Sequence, residues 1–246
     1  MMMTTMKIWA TLAVVFASLT GVGAAQASPG NGDIELRYQS LANGLTTTLH
    51  LPLQVNAASY VLGNYNFQTR DLVTHVPTGS FIAYCVDPYQ WASSSYHAYT
   101  VTPLSASNHD AAGLNAQQYD NVLKLFGNAY ADSLTSAVKA AGFQLALWEV
   151  FSDDGSLTTG NVWTTAATNA LVVGEAQSLL GSLAGWGMGT AYELTFHGNA
   201  TYQNYLAVTG VLPDSVSAIP EADEYALMLA GLGVLGLLFR RRRPAC

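Results

Sequence analysis

Apolar and polar positions alternate with period two through the first third of the chain after residue 32. Asp33–Leu41 carries Ile34, Leu36 and Tyr38, and Gly44–Leu51 carries Leu45, Thr47 and Leu49 on the complementary spacing. Such alternation predicts half-buried strands, and Asn43-Gly44 between them predicts a hairpin turn. Ala58–Asn66 reads as a third strand, interrupted at Gly63-Asn64, and Asp71–Pro77 as a loop. Gly79–Val86 is almost wholly apolar, which suits a central strand buried on both faces; Pro88 ends it. His97–Leu104 alternates through Tyr99 and Val101 as a further strand.

The pattern then changes. Ser105–Gln117 is polar and loop-like, and Gln118–Tyr130 sets Val122, Leu125 and Phe126 on one helical face, with Gly127-Asn128 expected to fray its end. Ser133 suits an N-cap for a helix over Leu134–Phe151, stopped by Ser152-Asp153-Asp154-Gly155. Trp163–Leu183 reads as a third helix and Gly185–Gly189 as a breaker. Thr190–His197 and Tyr202–Val208 read as closing strands joined at Gly198-Asn199. Strands, then helices, then strands predict an α+β fold: an antiparallel β-sandwich or barrel with a helical insertion. No internal repeat is visible.

Both ends read as processing signals. Lys7 precedes a short apolar run, Ile8 to Val22, and Ala25-Gln26-Ala27 has the small-x-small form of a signal-peptidase site, so cleavage is expected after Ala27. At the other end, Pro220-Glu221-Ala222 is followed by the apolar run Tyr225 to Phe239 and then Arg240, Arg241, Arg242 and Arg243. This tail resembles the PEP-CTERM sorting signal of Gram-negative bacteria, with Ala222 where that family has a second proline. The resemblance implies transient anchoring in the inner membrane through the C-terminal helix, recognition by an exosortase, and release to the cell surface or extracellular matrix. The expected organisation is a signal peptide (1–27), a domain (28–211), a linker (212–219) and a sorting tail (220–246).

Between the signals lie only four basic residues, Arg37, Arg70, Lys124 and Lys139, against thirteen acidic ones. Such a surface offers no electrostatic footprint for nucleic acid or anionic lipid. The two cysteines are Cys85 and Cys246, and Cys246 lies beyond the arginine cluster. An exported chain is then left with one odd cysteine, explained by burial as a small apolar residue or by chemical conversion.

Cys85 ends the apolar strand in Tyr84-Cys85-Val86-Asp87. Gln144 sits in the helical segment Phe143-Gln144-Leu145-Ala146-Leu147-Trp148 and shares a face with Trp148, Ala137, Ala141 and Phe151. An amide in an apolar stripe needs hydrogen-bond partners. The plain reading is a core glutamine bonded to nearby backbone. Together, however, the two motifs resemble the thioester domains of bacterial surface proteins, over roughly residues 33–210. That resemblance implies an internal Cys85–Gln144 thioester that acylates an amine or hydroxyl nucleophile on a surface or matrix partner. It is a single-use graft for adhesion, not turnover, so no catalytic residue is assigned. Tyr84, Trp91, Phe143 and Trp148 are expected to shield the bond from water. Asp87 and Glu149 are candidates to orient the amide or take a proton, although solvated carboxylates at element ends are the plainer reading. The Tyr119-Asp120-Asn121-Val122 to Trp148 segment also resembles a helical stretch of many PEP-CTERM proteins.

Two alternatives stay open. A cysteine hydrolase would pair Cys85 with one of His50, His75, His97, His109 or His197, none of which sits in a recognisable motif. A non-covalent structural or glycan-binding biofilm-matrix protein would bury Cys85 and use Tyr89, Trp91, Tyr96 and Tyr99 as a sugar-binding surface. Zinc-ligand spacing and a phosphate-binding glycine loop are absent from the sequence, so no metal or cofactor is expected.

Overall fold

The computed structural model describes residues 32–51, 56–105, 112–189 and 192–211. In chain order its elements are β1 (Gly32–His50), β2 (Ala58–Asp71), β3 (Pro77–Cys85), β4 (His97–Pro103), α1 (Ala116–Ser133), α2 (Ala137–Ser152), β5 (Trp163–Thr164), α3 (Ala170–Ser182), β6 (Tyr192–Gly198) and β7 (Tyr205–Val211). The signal peptide with Ala27, the linker, and the tail with Pro220, Glu221, the four arginines and Cys246 lie outside the described residues, as does His109.

Every strand pairing is antiparallel, and the pairings form a ring: β1 with β2, β2 with β3, β3 with β7, β7 with β6, β6 with β4, and β4 back to β1. A ring leaves no edge open among those six strands. The three helices enter between β4 and β6, as the strands–helices–strands order predicts. The short β5 pairs with the far end of β1 at Leu49 and His50.

The turn expected at Asn43-Gly44 does not form. β1 runs unbroken past it, with register shifts between Tyr38 and Ser40 and between Leu41 and Asn43. Asn43 and Gly44 face Asn64 and Gly63 across the ladder, so the two turn-like dipeptides neutralise each other as a paired irregularity. The Asn64 side chain accepts a bond from the Asn43 amide at 2.8 Å. Gly63 has φ 150°, and a Cβ there would lie 1.9 Å from the Asn43 carbonyl oxygen, so glycine is required by both backbone and space.

The helix boundaries also differ from expectation. α1 continues through Gly127 and Asn128 to Ser133. Ser133 is therefore not an N-cap; Ser136 caps α2, its side chain accepting from the Lys139 amide. Ser133 is buried, and its hydroxyl donates to the Tyr130 carbonyl in the last turn of α1. Trp163 and Thr164 are strand, and α3 starts at Ala170 after the N-cap Asn169. β-branched and aromatic residues at 163–165 favour that extended start.

α2 is the centre of the molecule. Residues Ala140 to Val150 are all buried, so the helix is enclosed on every side rather than amphipathic. It packs against α1, α3, β1, β2 and β3. Gly142 permits the α3 approach: a Cβ there would come within 2.5 Å of Glu175 Cβ. This enclosure decides where Gln144 can reach.

Candidate functional site

Cys85 is the last residue of β3, opposite Tyr205 of β7. Gln144 lies in the middle of α2, fifty-nine positions away in sequence. Both are 0 % exposed. The Cys85 amide donates to Gln144 Oε1 at 3.0 Å, and Gln144 Nε2 donates to the Cys85 carbonyl at 2.6 Å. The helix side chain thus reads the end of the strand as another strand would, satisfying two backbone groups that β7 leaves to it. The core glutamine bonded to backbone is present, and the backbone it selects belongs to Cys85.

The thiol donates to the Asp87 carbonyl at 3.2 Å. Burial pushes its pKa well above the usual thiol range; the Trp148 side chain, one turn beyond Gln144, draws it the other way. The Trp148 indole nitrogen is buried and has no hydrogen-bond partner among the described residues. A desolvated N–H near the sulfur favours negative charge there.

Strand alternation separates the other expected neighbours. Tyr84 faces the helices, not the thiol side: its ring packs on Phe143 at 4.5 Å and edge-on to Phe126 and Tyr130, and its hydroxyl donates to Ser133 at 2.8 Å. Asp87 enters through its backbone. Its carbonyl accepts from the thiol and from Gln203 Nε2, while its carboxylate accepts from the Tyr89 amide and closes the turn after the strand. Glu149 is not solvated, and neither of its oxygens bonds the Gln144 amide. It is 0 % exposed and lines a different cleft, with α1 and α3 residues.

A cleft of about 310 Å³ is lined by Tyr38, Tyr60, Tyr65, Trp91, Trp148 and Gln203 among others; it shares Trp148 and Gln203 with the surroundings of the pair, but Cys85 and Gln144 themselves do not line it. Trp91 stands at its rim, 74 % exposed. Gln203 was not legible as a site residue. It bonds the carbonyl that receives the thiol, and its own side-chain and backbone oxygens accept from Tyr205 and Tyr99 at 3.2 Å. Only the long-range β3–β7 pairing brings it there. Of the four aromatics expected as a sugar-binding surface, Tyr89 and Trp91 are exposed and the other two are not free. Tyr99 is buried in the core, and Tyr96 is covered by the Arg37 and Arg70 guanidinium groups at 4.8 and 4.0 Å.

The described histidines are engaged elsewhere. His50 stacks on Trp163, His75 meets Glu35, His97 stacks on Tyr202, and His197 lies against Phe81 and Thr195. Among the described residues no helix is long and apolar enough to cross a membrane. Comparison with protein-family models, with curated proteins and with solved structures returns no match.

Proposed function

We propose that this protein is an exported surface or matrix protein in which Cys85 and Gln144 condense to an internal thioester, a stored electrophile for covalent attachment. The observation that carries the reading is the reciprocal bonding of the Gln144 amide to the Cys85 backbone, with both residues fully buried. The Cys85 N–H donates to the oxygen that must take up negative charge when sulfur adds to the side-chain carbonyl, as an oxyanion donor does. Sulfur bonds to Cδ, the Cδ–Nε2 bond breaks, and the thiol proton leaves on ammonia. A later amine or hydroxyl bonds to the same carbon, the Cδ–S bond breaks, and the nucleophile's proton passes to sulfur, leaving Cys85 as a free thiol. The Trp148 N–H stabilises sulfur as it enters and as it leaves. Export and sorting rest on the sequences at the two ends, with signal peptidase and an exosortase as processing partners.

A second reading has its own support. The intact amide is already satisfied as donor and acceptor, and the thiol is bonded to the Asp87 carbonyl. In that reading the pair is a non-covalent lock between sheet and helix in a structural matrix protein.

Intact mass of the purified protein, with and without methylamine, separates the two. The thioester predicts a mass lower by one ammonia, absent in Gln144→Ala and in Cys85→Ala. Methylamine treatment then adds one methylamine and exposes one thiol. An unmodified mass with a thiol that titrates on unfolding would leave the lock. The mature termini in the same spectrum test cleavage after Ala27 and near Pro220-Glu221.

A further inference from the structure

At the C-terminal end of α2 a second arrangement is unused by the Cys85–Gln144 pair. Glu149 is fully enclosed, yet neither carboxylate oxygen has a hydrogen-bond partner among the described residues. Leaving a buried carboxylate without a partner is costly. Asp153, the C-cap of α2, and Asp154 stand beside it, and one oxygen from each of the three lies within 4.8 Å of the others. Three carboxylates at that spacing repel one another unless a cation or protons intervene. Lys124 lines the same cleft, but among the described residues no salt bridge joins it to any of the three.

The cleft holds about 460 Å³ and adds side-chain amides from Asn115, Gln117 and Asn121. The donors are all oxygen, which selects a hard divalent cation over zinc or copper. The aspartates are also fixed in place. Asp153 accepts from the amides of Asn161 and Val162, and Asp154 from the Ser156 amide at 2.9 Å and the Thr159 hydroxyl at 2.8 Å. Of the three, Glu149 alone has no hydrogen bond to either carboxylate oxygen among the described residues. Calcium accepts six to eight oxygens in irregular geometry and tolerates water in the remainder, which fits a built side of three carboxylates facing an open cleft.

We infer that Glu149, Asp153 and Asp154 form a calcium site that fastens the end of α2 to the 153–162 loop. The site would neutralise the buried charge on the helix that carries Gln144. It stands whether or not Cys85 and Gln144 are crosslinked.

The test is thermal unfolding of the full-length protein, stripped with EDTA and titrated with calcium chloride or magnesium chloride, with calorimetric titration alongside. Calcium should raise the midpoint, since a ligand of the folded state stabilises it by mass action, and magnesium should do so more weakly. Glu149→Gln keeps shape but removes the charge. It should abolish the calcium-induced rise while raising the midpoint of the stripped protein at pH 8. Asp154→Asn should weaken calcium at least tenfold without that gain in the stripped protein. No calcium effect in the wild type, an undiminished effect in Glu149→Gln, or equal response to magnesium would overturn the assignment.

Discussion

Replacing Cys85 by alanine separates the covalent reading from the non-covalent one by stability alone. The substitution leaves the backbone N–H and carbonyl at position 85, so the Gln144 amide keeps both partners. What is lost without a crosslink is one buried sulfur, a group near the size of a methylene, worth about 1 kcal/mol. With a crosslink the protein also loses a covalent ring spanning the 59-residue separation. Loop-closure entropy for a ring of that size is about 4 kcal/mol. The restored amide bond to the carbonyl returns about 1 kcal/mol, leaving a net cost of about 4 kcal/mol. With a urea slope of about 2 kcal/mol/M for a domain of this size, the midpoint falls by about 2 M. Without the crosslink it falls by about 0.5 M. Equilibrium urea unfolding followed by tryptophan fluorescence reads the difference. The slope is a second readout: an opened ring lets the unfolded chain expand, so Cys85→Ala should unfold with a steeper dependence on urea. A shift of about 0.5 M at unchanged slope would refute the thioester.

Three further outcomes follow from the same geometry. Gln144→Ala should unfold at lower urea than Cys85→Ala, because it orphans the Cys85 N–H and carbonyl in the core at about 1–3 kcal/mol each; equal midpoints would show that the reciprocal pair contributes nothing. Gly142→Ala should destabilise by about 1–3 kcal/mol by overpacking, despite the helix propensity gained, since the new Cβ meets the Glu175 side chain within 2.5 Å; a stabilised variant in thermal unfolding would refute the close α2–α3 crossing. Burial lowers His197 from 6.5 to about 3, so the native state binds fewer protons than the unfolded state between those values. Its contribution is intact above pH 6.5 and is lost as pH falls, by about 1.4 kcal/mol per pH unit; between pH 6.5 and 5 the wild type should lose about 2 kcal/mol more than His197→Gln, and parallel profiles would refute the burial argument.

Much of the architecture is written in local pattern. Local pattern marks six of the seven strands, by period-two alternation or, for β3, by a continuous apolar run, although it divides β1 in two; helical spacing marks the insertion, because these periods follow from backbone geometry and the faces that are buried. The Cys85 and Gln144 motifs stand out for the same local reason: a cysteine ending an apolar strand and an amide inside an apolar helix both demand partners. Local pattern misleads where the deciding contact is distant. Asn43-Gly44 has the chemistry of a turn, but Gly63 and Asn64 across the ladder absorb the irregularity and the strand continues. Ser133 has the chemistry of a cap, but Tyr84 and the end of α1 claim its hydroxyl. Closure of the ring of strands, the delivery of Gln203 to the Asp87 carbonyl and the meeting of Glu149 with Asp153 and Asp154 depend on which elements become neighbours. That choice is made by burying α2 on all sides, a collective property of the whole core that no single stretch of residues encodes.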